Sequence, residues 1–175
     1  MVGYISFQKL AIAPINNLEP VFGRGESIDL NGVNLHLFLV KNPAGFDLVL
    51  THILKTSDSQ DINLGVAIND NIADGKDVSW LWDVSLEEFL KQQNIANVYT
   101  AGKRANDMLL RFEYAGLKDA NLENSSYDLT DLVKTISESD KSKPFIVMCT
   151  YTALLDFRSK LSKKVKLSKI SDAGN

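Results

Sequence analysis

Residues 33–55 read VNLHLFLVKNPAGFDLVLTHILK, and the change of period inside this stretch decides the fold. Positions 33–40 are almost continuously apolar and end in Phe38, Leu39 and Val40, the pattern of a strand buried on both faces. The loop Lys41-Asn42-Pro43-Ala44-Gly45 stops it. Pro43 suits a helix start because it has no N–H to lose there. From about Ala44 to Lys55, Phe46, Val49, Leu50, Ile53 and Leu54 recur at helical spacing and form one apolar face. A strand that passes directly into an amphipathic helix is the first half of a β-α-β unit.

The alternation continues downstream. Apolar runs at 62–68, 98–100 and 145–149 predict strands, and 121–124 offers an edge strand. Ser85 predicts the cap of a helix over 86–92. A further helix leads from Gly102-Lys103 to Ala115, where Gly116 suits the C′ position. Ser126 or Asp128 can cap a helix to about Ser137, and Thr150 or Thr152 opens the last one, to about Leu161. Upstream, Pro14, Pro20, Gly23 and Gly25 break any long element, and Asn31-Gly32 offers a turn. The expected fold is α/β, a Rossmann-like, mainly parallel sheet with helices on both faces. The expected organisation is an N-terminal extension at 1–30, one α/β domain at 31–162 and a solvated basic tail at 163–175.

Composition narrows the function. The 175 residues are 45% hydrophobic and carry a formal charge of -3, so there is no broad basic footprint for nucleic acid. No run approaches the roughly 20 apolar residues of a membrane helix. One cysteine and two histidines make neither an internal disulfide nor a classical zinc site, and no metal is expected. The cytoplasm is the expected compartment.

Candidate chemistry concentrates in residues 69–83, NDNIADGKDVSWLWD, which follow a buried strand, where open α/β sheets place functional loops. The acidic spacing does not make a calcium loop: with Asp70 first and Gly75 sixth, the third and twelfth positions are Ile72 and Leu81, not oxygen ligands. Asp70 and Asp74 read more simply as residues that cap the loop's own backbone. Asp83 follows the apolar anchor Trp80-Leu81-Trp82 and precedes a helix. It is either that helix's cap or a carboxylate able to orient a histidine, as the third member of a nucleophilic triad does. No nucleophile accompanies it, because Cys149 sits in the core run Phe-Ile-Val-Met-Cys, and His36 and His52 read as structural. Arg24, between two glycines, can meet a phosphate. Lys41 and Asn42 precede a helix N-terminus that favours anions. Arg104, Asp107 and Arg111 share one helix face and read as solvated, opposite Ala105, Met108, Leu109 and Phe112.

Five segments, in order, carry a resemblance: FGRGE at 22–26, LVKNPAGF at 39–46, NDNIADGKDVSWLWD at 69–83, GKRANDM at 102–108 and YTALL at 151–155. Together they resemble the C-terminal domain of the MurT family, the Mur-ligase-type subunits of lipid II isoglutaminyl synthase, over roughly residues 20 to 161. The resemblance implies a two-subunit enzyme whose complete ligase subunit uses ATP and Mg to activate the α-carboxylate of D-glutamate in the lipid II stem peptide. A GatD-type glutaminase subunit supplies the ammonia with a Cys–His pair. It also implies that an aspartate of this domain completes the partner's triad, carried onto Asp83, with Asp77 and Asp74 as alternatives. Mur ligases place an arginine from a Gly-Arg segment on the ATP phosphates, which maps onto Arg24, and Lys41 and Asn42 occupy the nucleotide-side loop. There the family's Asp-x-Ala-His-Asn-Pro pattern has Phe38 at the aspartate and Lys41 at the histidine. The family's central ATPase domain and four-cysteine zinc insertion are not among these residues, so the chain is expected to be inactive alone, with no tightly bound cofactor. Two other readings remain: a stand-alone module that docks a glutaminase, and the C-terminal domain of a folylpolyglutamate-synthase-like ligase. The latter does not account for the Asp-x-Ser-x-Leu-Trp-Asp stretch.

Overall fold

The computed structural model describes residues 24–57, 60–117, 122–126 and 128–167. Among the described residues, six strands and five helices follow one another as β1 (Arg24–Leu30), β2 (Val33–Leu39), α1 (Pro43–Thr56), β3 (Ile62–Ala67), a 3-10 turn (Ser79–Asp83), α2 (Leu86–Gln92), β4 (Ile95–Ala101), α3 (Ala105–Tyr114), β5 (Leu122–Ser126), α4 (Leu129–Glu138), β6 (Phe145–Cys149) and α5 (Tyr151–Leu161). The strands form a single sheet in the order β1-β2-β6-β3-β4-β5. β2, β6, β3, β4 and β5 run parallel, and β1 is antiparallel to β2 at the edge. The expected α/β class holds.

Alternation along the strands separates two cores. Phe38, Val40, Leu64, Val66, Ile146 and Met148 face Phe46, Leu50 and Ile53 of α1, Phe89 of α2 and Met108 and Phe112 of α3. Leu35, Leu37, Phe145, Val147 and Cys149 face Leu132 and Ile136 of α4 and Ala153, Leu154 and Phe157 of α5. Every residue of β3 and β6 is buried, which is why these two strands have no polar alternation. Leu109, expected in the core, is half-buried.

Two boundaries differ from the sequence expectation. β1 lies within the stretch read as an extension, and Asn31 and Gly32, at φ 57° and 89°, close the β1–β2 hairpin with the doubly left-handed geometry of a type I′ turn. Glu26 is buried because it pairs with the buried Arg158 of α5, so the edge strand is bolted to a helix on the second face. At the other end, Val165 and Leu167 pack against the second core, so the first residues of the basic tail belong to the domain. Residues 1–23 and 168–175 lie outside the described residues, as does the side chain of Arg24.

Loop ends meet at Gly102. Its φ is +85°, and a Cβ there would lie 2.5 Å from the Ile68 carbonyl oxygen and 2.8 Å from Asn69 Oδ1. Both the left-handed backbone and the close approach require glycine. Gly102→Ala is expected to lower stability by at least about 2 kcal/mol through backbone strain and overpacking, a drop in Tm of roughly 4–8 °C. Thermal unfolding of the two proteins checks this, and an unchanged midpoint contradicts it.

Candidate functional site

The parallel strands bring four connections to one edge of the sheet: residues 40–42 after β2, 68–78 after β3, 102–104 after β4 and Thr150 after β6. The helix that follows β6 packs on the opposite face from those that follow β2, β3 and β4. The gaps on both sides of β6 are therefore topological switch points, where open α/β sheets hold ligands, and the loop after β3 lies at the one between β3 and β6. Here the chain's own polar groups fill it. The Asn69 N–H donates to Thr150 Oγ1 (2.9 Å) and its amide to Thr152 Oγ1 (3.1 Å), while its Oδ1 accepts from the Lys103 N–H (3.0 Å). Asn71 donates to Thr152 Oγ1 (2.8 Å) and accepts from Lys103 Nζ (2.5 Å).

Asp74 completes this net. Its Oδ1 accepts the Thr152 N–H at 2.8 Å and its Oδ2 the Thr152 hydroxyl at 2.5 Å. The carboxylate thus sits on the first turn of α5, where the free amides and the helix dipole favour an anion. Asp74, one of the three aspartates singled out for a triad, is engaged within the chain as the anion of that helix end. Asp70 pairs with Arg104 at 2.9 Å. Burial pushes its carboxyl up, but the hydrogen bond and charge of Arg104 outweigh this and hold it below the usual range.

Beyond the net, the loop closes into the 3-10 turn Ser79–Asp83. Asp77 Oδ1 accepts the Ser79 N–H at 2.8 Å, and this bond holds its carboxyl below the ordinary value. Leu81 is buried, whereas Trp82 and Asp83 are exposed. Asp83 has no hydrogen-bond or ion-pair partner among the described residues. It is not the cap of α2 either. Ser85 holds the N-cap position without a side-chain cap bond, and its N–H and hydroxyl donate instead to the Asp47 carboxylate of α1, at 2.9 and 3.1 Å.

The residue that shapes this turn is one that helix periodicity placed in solvent. Arg111 of α3 is only 2% exposed. Its Nε donates to the Leu81 carbonyl (3.0 Å) and its Nη2 to the Val84 carbonyl (2.7 Å). Its two terminal nitrogens form a fork with Glu87 of α2, at 2.8 and 2.9 Å. The guanidinium lies 5.6 Å from the centre of the Trp82 ring, and Trp82 meets Tyr114 edge-on at 5.4 Å. Arg104 and Asp107 of the same face do reach the surface. Sequence spacing missed Arg111 because its partners are carbonyls that lie 27 and 30 residues away; the apolar Trp-Leu-Trp anchor beside a charged helix is the only hint.

The residues read as nucleotide-facing lie at the β2–α1 connection. Asn42 Oδ1 accepts the Gly45 N–H at 2.8 Å and so caps α1, leaving its amide hydrogens as donors. Lys41 is exposed, with its ammonium 5.8 Å from the centre of the Tyr151 ring. A cation and an amide donor at a helix start fit an anionic ligand, but the cap bond already engages the Gly45 amide. Arg24 enters β1 opposite Phe38, next to the bulge at Gly25. Of the other candidates, Cys149 is fully buried and burial pushes its thiol pKa up, so it is not a nucleophile. His36 bonds across the hairpin to Ser27 at 3.0 Å, and burial, then the charge of His52, lowers its pKa.

Comparison with known proteins follows the same segments. The family described as MurT ligase C-terminal matches residues 39–154. The lipid II isoglutaminyl synthase (glutamine-hydrolyzing) subunit MurT of Streptococcus pneumoniae is 31% identical over 144 residues, 82% of this chain and 31% of that protein. The subunit of the same name from Staphylococcus aureus strain COL is 32% identical over 126 residues, 71% of this chain and 27% of that protein. The chain therefore spans about a third of the length of these relatives. Among solved structures, folylpolyglutamate synthase from Thermotoga maritima superposes with a TM-score of 0.53 at 18% identity, over 81% of this chain and 30% of that one, a likeness of fold.

The Arg111–Glu87 pair has a pH signature. The hydrogen bond from Arg111 comes first among the causes that hold the Glu87 carboxyl below its ordinary 4.5. A carboxylate depressed in the folded state stabilises fully above its unfolded pKa and loses that contribution as pH falls through the folded value. Glu87→Gln is therefore expected to be less stable than the parent above about pH 4.5, with the gap closing on further acidification. Urea unfolding between pH 3 and 6 checks this, and a gap independent of pH contradicts it.

Proposed function

The chain belongs to the MurT ligase C-terminal family, and we propose that it works as the C-terminal domain of the ligase subunit of a lipid II isoglutaminyl synthase. In this reading it presents Asp83 to the catalytic histidine of a GatD-type glutaminase subunit. One observation carries the choice: of the three candidate aspartates, Asp74 is engaged at α5 and Asp77 at Ser79, while Asp83 is exposed at the end of a clamped turn. The relatives are named as glutamine-hydrolyzing, which requires a nucleophile, and the buried Cys149 does not suit that role. In this reading the nucleophile and its histidine come from the GatD-type subunit.

Asp83 accepts the N–H of that histidine, holds its tautomer and stabilises the imidazolium that forms when the partner's cysteine gives up its proton. The thiolate attacks the side-chain amide of glutamine, ammonia leaves with the proton returned by the imidazolium, and water hydrolyses the resulting thioester to glutamate and the free thiol. In the complete ligase, Mg-ATP would transfer its γ-phosphoryl group to the α-carboxylate of D-glutamate in lipid II, releasing ADP, and ammonia would displace phosphate from that acyl phosphate to give D-isoglutamine. Lys41, Asn42 and Arg24 are the residues of this domain that would face the nucleotide. The complex works in the cytoplasm, and no helix among the described residues is long and apolar enough to cross a membrane.

Asp83→Asn keeps the shape and removes the charge. In the reconstituted two-subunit enzyme it is expected to lower glutamine turnover by roughly 10²–10⁴-fold without preventing assembly, since one rim carboxylate contributes little to a large interface. Glutamine hydrolysis by Asp83→Asn, with Asp77→Asn and Asp74→Asn alongside, checks the assignment. Full activity in the first and loss in another moves the role within the loop, and full activity in all three removes it.

The chain alone is expected to bind ATP no more tightly than about millimolar, because the β2–α1 connection offers one cation and a donor rather than a nest of free backbone amides. Titration calorimetry with Mg-ATP tests this; micromolar binding contradicts it.

A further inference from the structure

Resting on the reading of Asp83 as the third member of the partner's triad, we infer that Arg111 is a positioning residue that sets the Asp83 carboxylate for catalysis. The two carbonyls that accept from Arg111, those of Leu81 and Val84, stand immediately on either side of Trp82-Asp83. The bonds therefore fix the Leu81–Trp82 and Val84–Ser85 peptides, which bracket the aspartate at one residue's remove on each side. The same guanidinium faces the Trp82 ring, which fixes the neighbouring side chain, and Tyr114 holds that ring from its edge. Glu87 takes the rest of the fork and neutralises the charge. Asp83 is left as the exposed carboxylate at the end of a turn held from both sides.

Stability alone is a weak reason for this arrangement. Removing a guanidinium from water is expensive, and apolar residues of similar volume often replace buried ion pairs without loss. What apolar residues cannot do is hold two particular carbonyls and a carboxylate in one plane. Only the rigid, planar fork of arginine does so; lysine, a point charge on a flexible stem, does not. Placement to within about half an ångström is what a catalytic side chain requires of its supports, and a displacement of about 1 Å can cost on the order of 10²-fold in rate.

The test is a double-mutant cycle in the full-length ligase subunit assembled with its glutaminase, reading kcat and KM for glutamine hydrolysis. Arg111→Lys is expected to lower kcat by on the order of 10²-fold with KM for glutamine little changed and the glutaminase still copurifying. In the Asp83→Asn background the same substitution is expected to lower kcat by only a few-fold more, because its effect passes through the carboxylate already neutralised. Glu87→Gln, which leaves the two carbonyl bonds and only loosens the fork, reads the same coupling more weakly and serves if Arg111→Lys does not fold. If Asp83→Asn impairs turnover but the two losses multiply, Arg111 is merely structural and the inference falls alone. If Asp83→Asn is fully active, the triad reading falls and takes the inference with it.

Discussion

A guanidinium carries five N–H donors and does not lose its proton in a protein, so burying one obliges the chain to bring acceptors to it. Arg111 meets this obligation with the Leu81 and Val84 carbonyls and both Glu87 oxygens. The consequences spread outward. The 3-10 turn is held against α3, the start of α2 is held to the same point, and Trp82 covers the cation from outside. Asp47 ties α1 to Ser85 one step further along. The segment between β3 and α2 is thus fixed by α1, α2 and α3 together, although much of it has no regular secondary structure.

A second constraint governs the first part of that segment. The switch point between β3 and β6 has the features of an anion site, yet Asn69, Asn71 and Asp74 fill it from within. The carboxylate of Asp74 stands on α5 where a ligand phosphate would stand in other sheets of this kind. Closing the crevice has two effects. The loop is tied to the strand ends and to α5, and the carboxylate that the proposal assigns to catalysis, Asp83, is left on the exposed rim. In the proposed reading, such a domain offers its side chain to another protein rather than enclosing a small molecule between β3 and β6.

Most of the fold was legible because the central strands are buried on both faces, so β3 and β6 read as uninterrupted apolar runs. β1 was not, because RGESIDL has mixed polarity. Glu26 is tolerable in the interior because it pairs with Arg158, 132 residues further on, and no local pattern announces such a partner. The same limit hid Arg111: charges at spacings of three and four read as a solvated face, and only the tertiary approach of the Trp-Leu-Trp turn reverses that. Val165 and Leu167 sit among lysines whose composition masks them. Within the loop the acidic character of Asp74, Asp77 and Asp83 was plain, but their division of labour was not. It is decided by Thr152, Ser79 and solvent respectively, and Thr152 is distant in sequence.

The central claim is that a preformed turn presents Asp83 to a histidine on another chain. A structure of the full-length ligase subunit bound to its glutaminase tests it most directly. The account predicts a carboxyl oxygen of Asp83 within about 2.7–3.0 Å of a ring nitrogen of the partner's catalytic histidine, with the Arg111 bonds to Leu81 and Val84 unchanged. A complex in which that histidine meets Asp77, or meets no residue of 69–83, would contradict it.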